Sequence, residues 1–280
     1  MPVADASLMI YVHIPKTGGT TLSHILDWNY RHVYAINHYD QIPPLLAMSE
    51  AEKRRLDCVR GQIFYGIHRH LPQPATYATM LRHPVKRFVS QYYYTMDRRR
   101  REGMPDSDLT MEQFLEREPF QASMQLALLR GGTTIDDALR TPLGPDALAI
   151  AKKNIETHFV LAGVLDYYDE MLLLMKRSLG WSRAYYARRN TRAEGTPPLT
   201  GDLRRLVEQA CEPDLELYEW VKQRLEATLA EQDDQFQTEM AALRQQNRAF
   251  GFAYDIAEPL RNTVAWKAMR GTAKRLLRRR

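Results

Sequence analysis

Residues 10–22, Ile-Tyr-Val-His-Ile-Pro-Lys-Thr-Gly-Gly-Thr-Thr-Leu, carry a β-branched and aromatic run into a Lys-Thr-Gly-Gly turn and straight on into a helical pattern. A strand, a glycine turn and a helix in that order make a phosphate cradle. Gly18 and Gly19 permit positive φ and close approach to an anion, and the amides that open the helix point at its charge. Lys16 adds a point charge, and Thr17, Thr20 and Thr21 add hydroxyls. In a Walker loop the lysine follows the glycines; here it precedes them, which disfavours a magnesium-nucleotide site.

A second strand-to-helix corner lies at 76–94, Thr-Tyr-Ala-Thr-Met-Leu-Arg-His-Pro-Val-Lys-Arg-Phe-Val-Ser-Gln-Tyr-Tyr-Tyr, with Pro84 opening the helix. Arg82 projects at the carboxyl end of its strand. Ser90, two turns into the helix, looks back toward that end, so the two can clamp a second phosphate. Tyr92, Tyr93 and Tyr94 follow; one of them can reach a bound base, although a helical tyrosine usually packs.

Taken together, the two motifs resemble those of sulfotransferases that use 3′-phosphoadenosine 5′-phosphosulfate (PAPS), of the Golgi carbohydrate type typified by heparan sulfate 2-O-sulfotransferase, in a bacterial-type form. His13-Ile14-Pro15-Lys16-Thr17-Gly18-Gly19-Thr20-Thr21-Leu22 is similar to the family's 5′-phosphosulfate loop, and Leu81–Arg87 with Ser90 to its 3′-phosphate motif. Weaker similarity runs through Phe159–Val164, Leu179-Gly180-Trp181 and Arg189-Asn190-Thr191. The resemblance spans about residues 8–225.

It implies an α/β, P-loop-like three-layer fold with a mostly parallel central sheet flanked by helices. It further implies PAPS as donor, 3′,5′-ADP as product and no metal. Lys16 would stabilise the bridging oxygen of the leaving phosphate, Thr17, Gly18, Gly19, Thr20 and Thr21 would hold the 5′-phosphate, and Arg82 and Ser90 would select the 3′-phosphate. Arg189 and Asn190 would lie near the donor. Relatives place a histidine after a glycine near Gly66-Ile67-His68-Arg69-His70, so His68, or else His70, is expected as the base that takes the acceptor's proton.

The acceptor implied is a hydroxyl of a carbohydrate or glycoconjugate; a protein tyrosine or small molecule is the alternative. Gln121, Ser123 and Gln125 occupy the region where relatives touch acceptor sugars. A kinase or NTPase on a similar scaffold would need metal-holding acids, and neither Asp27 nor Asp40 sits after an evident strand.

Cys58 and Cys211 stand apart with no metal-ligand spacing and no disulfide framework, which points to a reducing compartment. No apolar segment near Met1 suggests a leader, so the expected localisation is cytoplasmic, with a peripheral position on the inner face of the membrane as a variant. The 280 residues, 44% of them hydrophobic, suffice for one sizeable core. The expected division is a catalytic domain over 1–230 and a helical C-terminal extension over 231–280. Strands are expected at 9–14, 62–67, 76–81 and 159–163, and helices at 20–30, 84–97, 111–118, 121–130, 145–156, 166–179, 202–210 and 214–245. The Arg98–Arg101 run reads as a solvated loop before Pro105.

Seven Lys and Arg fall in residues 267–280 with no acid; removing them from a net charge of +5 leaves −2. The body is therefore near neutral; a nucleic-acid partner would use this tail and the Arg98–Arg101 run but would not explain the paired phosphate motifs, so none is expected. Within 266–280, Trp266, Met269, Ala273, Leu276 and Leu277 recur at helical spacing among the basic residues, a pattern suited to an anionic membrane surface. Nothing in the sequence specifies an oligomeric state.

Overall fold

The computed structural model describes residues 7–187 and 199–257. Five parallel strands in the order β2-β3-β1-β4-β5 form one sheet: β1 (Leu8–Val12), β2 (Val33–Ile36), β3 (Cys58–Gly61), β4 (Ala75–Leu81) and β5 (Phe159–Val164). The helices, in chain order, are α1 (Gly19–Asn29), α2 (Ile42–Ala47), α3 (Glu50–Arg54), α4 (Pro84–Glu102), α5 (Met111–Arg117), α6 (Met124–Arg130), α7 (Ile135–Arg140), α8 (Ala147–His158), α9 (Tyr168–Leu179), α10 (Gly201–Ala210), α11 (Glu212–Ala230) and α12 (Asp234–Ala257).

All five residues of the central β1 are buried, as a strand covered on both faces requires. On one face α1 meets α12 through Trp28 and Phe250, and α12 meets α9 through the 3.0 Å Arg177–Glu239 ion pair. Met171 of α9 lies where a Cβ on Gly163 would be, so Gly163 and its partner Met80 point to that face. Side chains alternate along a strand, so Tyr77 points to the other face, where α6 and α8 lie.

The topology nominates a site before any side chain is considered. From β1 the chain leaves through α1 toward β2; from β4 it leaves through α4 toward β5, on the opposite side. The crevice between the carboxyl ends of β1 and β4 is therefore the switch point at which open α/β sheets bind ligands.

Several expected boundaries move. The strand expected at 62–67 is Cys58–Gly61 instead. At Gly61, φ is 135° and a Cβ would lie 1.8 Å from the Ile36 carbonyl oxygen, so only glycine lets β3 and β2 close up there. Beyond it, the Tyr65 amide turns to the Leu128 carbonyl of α6, which makes Ile63-Phe64-Tyr65 a buried crossover rather than a strand. The short edge strand β2 went unforeseen, as did α2 and α7. Helix α4 continues past the expected end to Glu102 and stops at Gly103, φ 61°. Arg98–Arg101 are thus helical, and three of them are ion-paired: Arg98 with Glu102 at 3.9 Å, Arg99 with Glu118 at 2.5 Å and Arg100 with Asp108 at 3.1 Å.

The helix expected over 214–245 is two. The Asp233 carboxylate accepts the Phe236 amide at 2.8 Å and starts α12 afresh. Phe236, Met240 and Leu243 then join the same buried cluster as β1. Among the described residues no helix is long and apolar enough to cross a membrane. Arg189, Asn190 and the 266–280 stretch lie outside the described residues.

Candidate active site

Residues 13–19 cross the carboxyl edge of β1 in a tight arc. The Thr17 hydroxyl is fully buried and donates to the Ile14 carbonyl at 2.8 Å, so Thr17 shapes the loop from within, its proton already spent. Lys16 takes a left-handed φ of 71°, uncommon for a residue with a Cβ and a recurrent mark of functional loops. Gly18 follows at φ 81° as the N-cap of α1. Gly19 is required for a different reason: a Cβ there would sit 2.0 Å from the His13 ring. His13 is thus wedged against the first turn of α1, and burial, with Arg60 and Lys16 adding to it, lowers its pKa from 6.5 to about 4. At neutral pH that imidazole is uncharged.

Helix α1 opens without a side-chain cap and without an acid in its first turn. Its first amides carry the positive end of the helix dipole and are suited to an external anion. Thr20 is exposed beside them and Thr21 half-buried. The donor set fits a phosphate or sulfate monoester: backbone amides, a hydroxyl and one lysine, with no carboxylate in that first turn.

Arg82 stands directly after β4 and reaches across the switch point, its guanidinium donating to the Lys16 carbonyl at 3.1 Å. The two sequence motifs are therefore one structural unit. Burial pulls the Arg82 pKa down while Asp166, on the 3-10 turn Leu165–Tyr167, sustains its charge. Asp166 is held by the Tyr218 hydroxyl at 2.8 Å, and Tyr218 packs on His83.

Ser90 and Tyr94 share a face of α4 at i, i+4. The Lys16 ammonium lies 4.4 Å from the centre of the Tyr94 ring, so that face looks onto the loop and brings Ser90 with it. The neighbouring tyrosines have other work: Tyr92 donates to the Leu109 carbonyl at 2.7 Å, and both Tyr92 and Tyr93 pack on the Phe88–Phe114 cluster.

His68 is held by Tyr77 of β4. The Tyr77 hydroxyl accepts the His68 amide at 3.1 Å and meets His68 Nδ1 at 2.8 Å. Because the phenol oxygen also faces the Gly66 amide at 3.4 Å, its own proton is directed to Nδ1, leaving Nε2 of a neutral His68 as the protonated nitrogen. Tyr65, bonded to His158 Nδ1 at 2.7 Å, packs beside both rings. This cluster covers the α8 face at the level of Tyr77, five residues before Arg82, or roughly 16 Å along the strand at 3.3 Å per residue. Burial, then His158, Arg69 and His70, lower the His68 pKa. His70 is exposed next to it.

Gln121 and Gln125 are buried and serve the fold. The Gln121 carbonyl accepts from the Arg87 guanidinium, and the Gln125 carboxamide pairs with the backbone of Arg82. The Gln125 carboxamide is thereby spent, and the Gln121 carboxamide donates to Glu118 at 3.1 Å. Asp27 forms a two-bond pair with Arg60 at 2.8 and 2.7 Å, away from any metal role. Among the described residues no group of three or more His, Cys, Asp or Glu is arranged to hold a metal ion.

The family model described as Galactose-3-O-sulfotransferase matches residues 62–265. "Galactose-3-O-sulfotransferase 3" of Bos taurus is 33% identical over an alignment of 138 residues that covers 45% of this chain and 32% of that protein. The chain thus spans about a third of the curated relative it matches. The crystal structure of a sulfotransferase from Alicyclobacillus acidocaldarius superposes over 84% of this chain and 100% of its own, with a TM-score of 0.47 and 16% identity.

Proposed function

The chain belongs to the galactose-3-O-sulfotransferase family, and from that premise we propose that it transfers the sulfuryl group of PAPS to a hydroxyl of a carbohydrate or glycoconjugate. The observation that carries this reading is the bond from Arg82 to the Lys16 carbonyl, which joins an uncapped helix N-terminus to a strand-end guanidinium in one crevice. Two anion-binding groups fixed so close suit a nucleotide with phosphates at both ends of its ribose. The resemblance points to the galactose 3-hydroxyl as the first acceptor to test.

In this reading the transfer is an in-line displacement at sulfur. The S–O bond to the 5′-phosphate breaks with its electron pair going to 3′,5′-ADP, the acceptor oxygen bonds to sulfur, and the acceptor proton passes to a neighbouring base or to water. The α1 amides and Thr20 hold the 5′-phosphate, Lys16 neutralises the charge that builds on the bridging oxygen, and Arg82 with Ser90 holds the 3′-phosphate. In this reading His68 is not the base, because its ring is engaged by Tyr77 and lies against Tyr65 and His158. His13 borders the cradle, and its neutral ring can accept a hydrogen bond from the incoming hydroxyl, though its lowered pKa makes it a weak base.

The test is transfer of radiolabelled sulfate from PAPS to terminal galactosides by the purified protein. Labelled galactoside with the wild type, and roughly a hundredth of it or less with Lys16→Ala, is the expected outcome. Donor binding without transfer to any sugar would overturn the acceptor class; no donor binding would overturn the reading.

A further inference from the structure

Arg82 is an unusual strand end, because its backbone continues to be paired after the strand has stopped. Beyond Leu81 there is no neighbouring strand to receive its amide and carbonyl. A single side chain receives both: the Arg82 amide donates to Gln125 Oε1 at 2.9 Å, and Gln125 Nε2 donates to the Arg82 carbonyl at 3.0 Å. The carboxamide imitates one rung of a β-ladder, because it carries both a donor and an acceptor on one planar group, as a carboxyl does only when protonated.

Gln125 is itself fixed. It is fully buried, and its own amide and that of Leu126 donate to the Asp214 carboxylate at 3.1 and 2.7 Å. Asp214, from α11, thus caps the first turn of α6 from another helix. Buried Arg87 of α4 balances that charge. The line of contacts runs from Asp214 through Gln125 to the Arg82 backbone and, through the Arg82 guanidinium, to the Lys16 carbonyl.

We propose that Gln125 is a positioning residue: it fixes the Arg82 backbone so that the guanidinium meets the 3′-phosphate of the donor, and Asp214 holds Gln125 in register. The proposal rests on the donor-site reading above. It reassigns a residue expected to touch acceptor sugar to the recognition of the nucleotide.

The experiment is calorimetric titration with 3′,5′-ADP and 5′-AMP, read as the ratio of the two affinities. A residue that serves only the fold changes both affinities together and leaves that ratio intact. Gln125→Met keeps the volume and removes both bonds; the ratio is expected to fall by about tenfold, the weight of one or two lost hydrogen bonds. Gln125→Glu keeps the shape and one bond. Its new carboxyl can donate to the Arg82 carbonyl only when protonated, so the ratio should lie below the wild-type value at pH 8.5 and rise toward it at pH 6. A wild-type ratio in both variants at both pH values, with the preference abolished in Arg82→Ala, would overturn the positioning role alone. A wild type that does not prefer 3′,5′-ADP would overturn the donor reading and this role with it.

Discussion

The loop at residues 13–19 is held by its own neighbours in sequence, whereas the strand end at Arg82 is held by residues from far along the chain. Thr17 bonds Ile14 three residues away, and Gly19 makes room for His13 six residues before it. Arg82, by contrast, relies on Gln125 at a separation of 43 residues, and Gln125 on Asp214 at a separation of 89. One anion corner is built by local backbone geometry and the other by a tertiary relay. A local corner can be read from a dozen residues; a relay can be read only once the fold has brought its parts together.

The sharpest way to break this comparison is Lys16→Ala, which leaves both corners folded and removes the charge between them. Turnover should fall roughly 10²–10³-fold, the usual weight of a lost transition-state charge contact, measured by sulfate transfer under saturating donor. Arg82→Ala comes next: affinity for 3′,5′-ADP should drop roughly 10²-fold or more, while 5′-AMP, which lacks the 3′-phosphate, changes far less. Equal losses for both ligands would mean that Arg82 serves the whole site and not one end of it.

Gly19→Ala tests the local corner through stability. The added methyl must displace the His13 ring, and overpacking of this kind costs about 1–3 kcal/mol by chemical denaturation. His13 sharpens the same point through pH. Its pKa is lowered from 6.5 to about 4, so the unfolded chain binds the proton first, and the stability it contributes is present above pH 6.5 and lost as pH falls toward 4. Thermal melts in that window should show the wild type losing ground that His13→Gln keeps. Asp214, raised to about 6 by burial, acts with the opposite sign, so the comparison must be between variants at each pH. His68→Ala should have the smallest effect, less than about tenfold on turnover, against the 10²–10⁴ expected for removal of a general base.

The legibility of the sequence follows the same division. The strand-loop-helix at 8–29, the second corner at Arg82 and Pro84, and the parallel sheet were readable, because each rests on residues close together in the chain. The strand expected at 62–67 is a crossover through Ile63-Phe64-Tyr65, because buried apolar runs look alike whether or not they pair. The break between α11 and α12 has a local signal in Asp233, three residues before Phe236. His68 was favoured by its neighbours in sequence, yet its partners are Tyr77 and His158, and nothing in the chain near residue 68 announces on which face of the sheet it will land. Gln125 and Asp214 carried no local signal at all.

The measurement that tests the account most directly is calorimetry of 3′,5′-ADP against 5′-AMP on the wild type and Arg82→Ala, done side by side. The account predicts clear preference for 3′,5′-ADP in the wild type and its loss in the variant. A wild type that binds the two alike, or an Arg82→Ala variant that keeps the preference, would contradict a site assembled from both corners.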